Sequence, residues 1–135
     1  MERVRRTLWI LWGSFVASSA LFGVVCAFIP HPEGKELDAV MLVLLLMGLA
    51  SGGATLLGGR MLADRLDLMA WCIIRWALGE LPAALGLALW VLGAPGWAAL
   101  GACAFGVAVN LLQAPSDSSL EAWAGSPSRC PDSSE

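Results

Sequence analysis

Charge is scarce in this sequence. Charged residues make up 14% of the chain, against about 25% in ordinary soluble domains. A small soluble domain keeps much of its surface in water and cannot cover that surface with so few charges. Histidine occurs once, as His31. A zinc site therefore lacks imidazole ligands, and no C-x-x-C pair stands in for them. There is no Ser-His pair, no glycine-rich nucleotide loop and no His/Asp/Glu cluster, so no enzyme chemistry is visible and nothing calls for a cofactor. Without a basic stripe, nucleic acid is excluded as a partner.

What is abundant is apolar surface, at 58% of 135 residues. The length allows one domain, and the bilayer is the natural solvent for such a composition. Leu8 to Ile29 is an uncharged run long enough to cross a hydrocarbon core of about 30 Å at about 1.5 Å per residue. Ala39 to Gly59, Leu68 to Leu92 and the shorter Trp97 to Leu112 follow it. Backbone groups in lipid must be satisfied within their own segment, so each run is expected to be a helix. The expected fold is all-α, a four-helix polytopic membrane domain over 1–113. A cleaved signal peptide is the rival reading of the first run. Its basic start fits, but the run exceeds the usual apolar core of a signal, about 7–15 residues.

Arg3, Arg5 and Arg6 precede the first run, Arg60 and Arg65 lie between the second and third, and Arg129 is near the end. Only Lys35 occupies the loop from Pro30 to Asp38, and the turn 93–96 has no charge. The positive-inside rule then places both termini in the cytoplasm. The expected location is a cell membrane, in a bacterium the inner one. Trp9, Trp12, Trp71 and Trp97 fall near the predicted interfaces, as an aromatic belt requires. From Ala114 onward Ser, Pro and acids take over, so 114–135 reads as a disordered cytoplasmic tail. Cys26, Cys72 and Cys103 fall in apolar runs and read as small apolar residues, whereas Cys130 lies in the tail.

Small residues let membrane helices approach closely. Gly48 and Gly52 stand four apart on the second run, Gly79, Ala83 and Gly86 share one side of the third, and Ala102, Gly106 and Asn110 mark the fourth. The third run also holds two charges, Arg75 and Glu80. A charge at mid-membrane costs roughly 2.5–3.5 kcal/mol on insertion scales and is rarely left facing lipid. Glu80 lies about 18 Å along its helix, near the midplane, and Arg75 about 10 Å along it. Their five-residue separation turns them about 140° apart, so they do not pair within one helix.

Pro82 frees the carbonyl of Leu78 and can bend the helix. A protonated Glu80 can donate to that carbonyl or to Ser51 at similar depth, and the carboxyl is expected on the second helix near Gly48, Ser51 and Gly52. Arg75 is expected to meet Asn110 on the fourth helix, whose amide oxygen can accept from a guanidinium. Glu80 with Ser51 is thus the candidate proton or cation site, supported by Arg75, Asn110, Pro82, Gly48 and Gly52. Position alone leaves a structural, assembly role for Glu80 and Arg75 equally open.

The stretch Ala77-Leu78-Gly79-Glu80 leading into Gly86-Leu87-Ala88-Leu89, with Arg60 twenty residues before Glu80 and the small residues Gly48, Ser51, Gly52, Gly53 and Ala54, resembles subunit c, the proteolipid of the rotary ATP synthase. That resemblance covers 39–93 and implies a helical hairpin with one essential mid-membrane carboxylate, at Glu80. Met61-Leu62 replaces the family's Gln-Pro, Arg75 adds a fixed charge, and two further helices flank the hairpin. An ordinary rotor subunit is therefore not expected. The bilayer is the expected partner, with a homo-oligomer or larger membrane complex left open.

Overall fold

The computed structural model describes residues 2–32, 36–63, 67–117 and 121, with the side chains of 58–63 excepted. It contains four helices, α1 Glu2–Phe28, α2 Ala39–Ala63, α3 Leu68–Leu92 and α4 Gly96–Leu112. Three of them, α1, α2 and α3, are long and apolar enough to cross a membrane. α4, at 17 residues, spans only about 25 Å. The acidic tail falls almost wholly outside the described residues, as do Lys35, Arg65, Arg129 and Cys130.

Two boundaries differ from the sequence reading by more than one residue. α1 begins at Glu2 rather than Leu8, because the charged first turns have no helix breaker and the apolar run nucleates helix through them. α2 continues to Ala63 past Gly59, where the paired glycines weaken the helix without ending it. The other ends have visible stops. Asp38 caps α2, accepting from the Met41 backbone N–H at 2.8 Å. Gly93, in the left-handed region at φ 81°, closes α3, and the Ala94 N–H reaches back to the Leu89 carbonyl. Pro95 then opens α4 at once.

α3 and α4 form the closest seam, and α3 packs against all three other helices. α1 and α2 flank that pair and, among the described residues, share no packed seam with each other. The small residues explain the closeness. A β-carbon on Gly106 would stand 2.7 Å from the Ala83 nitrogen, and one on Gly86 would stand 2.6 Å from the Cys103 sulfur. One on Gly79 would meet the Asn110 amide oxygen at 2.5 Å. The stripe Gly79, Ala83, Gly86 therefore runs antiparallel to Asn110, Gly106, Cys103, with knobs and gaps alternating. Gly48 and Gly52 seat the third helix against α2, with Pro82 Cα and Cγ at 3.4 and 3.3 Å from their would-be β-carbons.

Polarity is distributed unevenly along the bundle. Met41, Leu89, Ala94, Ala99 and Ala102 form an apolar core at the end holding the α3–α4 turn. The interhelical bonds of Ser18, Ser19, Thr55, Asn110 and Gln113 lie in the other half. At that end Arg5 pairs with Asp117 at 3.4 Å, so the start of α1 and the exit from α4 lie together.

Candidate functional site

Glu80 sits at mid-depth on α3, and its carboxyl accepts a hydrogen bond from the Ser18 hydroxyl of α1. Both residues are half-buried, on the seam between the two helices. This corrects the expectation that Glu80 faces α2. The reason is rotation: residues two apart stand about 200° apart on a helix, and buried Pro82 occupies the α2 face. Glu80 is thereby turned away from it. Ser51 does not reach the carboxyl either; its hydroxyl donates to the Gly48 carbonyl within its own helix at 2.9 Å. Gly48 and Gly52 contribute packing space for Pro82, Leu85 and Phe105 rather than a pocket for the acid. α3 runs unbroken through Pro82, and the carboxyl bonds to Ser18 instead of the Leu78 carbonyl.

Asn110 is fully buried one turn from the site, and its amide donates to the Ser19 hydroxyl at 2.8 Å. Its backbone carbonyl accepts from the indole N–H of Trp12, also at 2.8 Å. The adjacent serines of α1 therefore diverge, Ser18 to α3 and Ser19 to α4. The expected Arg75–Asn110 contact is not formed: the Asn110 amide oxygen packs against Gly79, a full turn beyond Arg75 on α3, and has no hydrogen-bond partner among the described residues. Arg75 turns instead toward the end of α4, where its guanidinium carbon lies 5.1 Å from the Trp71 ring centroid. It lines a cleft with Leu68, Trp71, Cys72, Trp76 and Gln113–Pro115. The two charges of α3 thus face different neighbours, in keeping with their separation of about 140°.

A second set of polar bonds closes the arginine-bearing end. The Trp76 indole donates to the Gln113 carbonyl at 3.1 Å, and the Gln113 amide donates to Thr55 on α2 at 2.9 Å. Thr55 in turn donates to the Gly52 carbonyl at 2.7 Å. Glu80 is joined to no cation among the described residues, and no cluster of His, Cys, Asp or Glu suited to a metal occurs among them.

Sequence reasoning missed Ser18 and Ser19, and read Trp12 only as a belt residue, whereas its indole bonds to Asn110. A signal for the serines was present. Ser18 is ten residues from the Phe28 end of α1 and Glu80 is twelve from the Leu92 end of α3, which places hydroxyl and carboxyl at matching depth. Comparison with known proteins finds no family model, no curated protein and no solved structure that matches the chain.

Proposed function

We propose that this chain is a multi-pass membrane protein, both termini cytoplasmic and all four helices in the bilayer, in which Glu80 takes up and releases a proton. The observation that carries the reading is the partner of Glu80. A hydroxyl can donate to a carboxylate and can equally accept from a carboxylic acid, so Ser18 serves either protonation state. A guanidinium or ammonium in its place would favour the charged form alone. The half-buried seam between α1 and α3 also leaves the carboxyl a route to the outside of the bundle, which a fully enclosed structural acid lacks. The polar bonds of Asn110, Gln113 and Thr55 line the half of the bundle toward the arginine-bearing end, which is the side from which water reaches the carboxyl in this reading. The hairpin's resemblance to subunit c agrees with a working carboxylate but not with a tight ring, since α1 covers the Glu80 face.

The test combines carbodiimide labelling with proton flux in reconstituted vesicles. Wild type is expected to label at Glu80 in a pH-dependent manner. Glu80→Gln keeps the acceptor for Ser18, so it should insert and fold normally yet lose labelling and proton flux. If Glu80→Gln leaves proton flux at the wild-type level, the proton reading fails. The assembly role, with Glu80 clamping α1 to α3, would then take its place.

A further inference from the structure

We propose that the cleft around Arg75 holds the phosphate of an anionic phospholipid that carries a headgroup hydroxyl. The proposal rests on the membrane embedding of α3 and is independent of proton exchange at Glu80.

Arg75 is a charge in search of an acceptor. Its Nε is buried and has no hydrogen-bond partner among the described residues, and the guanidinium makes no ion pair among them. A guanidinium at this depth needs an anion or oxygen acceptors, and it presents planar paired donors that match a phosphate. Trp71 packs beneath it at 5.1 Å and fixes its plane. Seven residues separate Arg75 from the start of α3, or about 10 Å, a distance the side chain can bridge toward the headgroups by extending along the helix.

Two further features select a lipid over a free ion. Leu78 stands three residues beyond Arg75, about 60° around the helix, and Ile74 is beside it on the same side. Both are exposed on the bundle surface, Ile74 at 42% and Leu78 at 39%. They offer acyl chains an apolar track running from the arginine toward the midplane. The cleft is also lined by Gln113, whose buried Oε1 has no partner among the described residues. A phosphate accepts from Arg75, and a neighbouring headgroup hydroxyl donates to Gln113. Phosphatidylglycerol supplies both groups; phosphatidylcholine has the phosphate but no headgroup donor and a compensating charge.

The experiment measures lipid binding to the full-length protein in detergent by native mass spectrometry, titrating phosphatidylglycerol and phosphatidylcholine. Wild type should retain phosphatidylglycerol saturably and in preference to phosphatidylcholine. Arg75→Gln should weaken that retention about tenfold or more, the usual scale for a lost charge-assisted bond. Glu80→Gln should leave it unchanged, which separates this site from the proton reading. Equal retention of the two lipids by wild type would overturn the proposal however the variants fold. So would displacement of bound lipid by equimolar inorganic phosphate, which would make the cleft a free-anion site.

Discussion

Gly86 and Ala99 bring α3 and α4 into backbone contact: a β-carbon on Gly86 would lie 2.7 Å from the Ala99 carbonyl oxygen. Neither atom can yield without shifting a helix. Gly86→Ala is therefore expected to destabilise the bundle by about 1–3 kcal/mol, the usual cost of overpacking. Gly106→Ala should behave alike, since its nearest neighbour is the Ala83 backbone nitrogen at 2.7 Å. Gly53→Ala and Gly101→Ala, with nothing within 4 Å, should stay within about 0.5 kcal/mol of wild type. Denaturation in mixed micelles reads all four.

The Asn110–Ser19 bond is predicted to couple α4 to α1. In a double-mutant cycle, Asn110→Ala and Ser19→Ala should show an interaction energy of about 0.6–1.7 kcal/mol, the range of hydrogen bonds between membrane helices. Asn110→Ala alone should cost more than Ser19→Ala, because both are fully buried but the larger amide also packs against Gly79. Strictly additive losses would mean that the two side chains do not interact.

Ser18 and Ser51 should separate in their effect on Glu80. Ser18→Ala removes the hydroxyl bonded to the carboxyl and opens it to reagent, so carbodiimide labelling should become faster. Ser51→Ala removes only a bond within α2 and should leave the labelling rate unchanged. The reverse pattern would restore the carboxyl to the α2 face.

The arrangement of charge gives a topology prediction. With Cys26, Cys72, Cys103 and Cys130 replaced, a Lys35→Cys substitution should react with an impermeant thiol reagent from outside intact cells. Arg3→Cys and Asp117→Cys should react only after the membrane is opened. Protection of Lys35→Cys in intact cells, with Arg3→Cys and Asp117→Cys reacting from outside, would overturn the orientation.

Much of this fold was legible because a bilayer imposes run length, and four apolar runs separated by polar or turn residues leave little choice of helix. The small-residue stripes were legible too. Gly79 and Ala83 do meet Asn110 and Gly106, since backbone proximity is set by residue size, whereas Gly86 meets Cys103 and Ala99 rather than Ala102. The azimuth of Glu80 was not legible. Sequence gives the angle between Glu80, Pro82 and Arg75 on their own helix but not which neighbour stands at each angle. The expectation put α2 beside the acid because Ser51 lies at matching depth and Gly48 and Gly52 leave room for a side chain. In the bundle Pro82 claims that neighbour, and α1, more distant in sequence, receives the carboxyl.

The absence of a packed seam between α1 and α2 bears on how the molecule is made. Synthesis delivers these two helices before α3 and α4, and neither finds its permanent neighbour in the other. Their partners are surfaces of α3 and α4 that do not yet exist. The two helices must therefore wait unpaired with each other. Assembly starts only when α3 arrives, bringing both the Pro82 face for α2 and the Glu80 face for α1. A nascent chain stopped after residue 63 should behave as two independent helices, and one stopped after residue 92 as the first form in which they are held together.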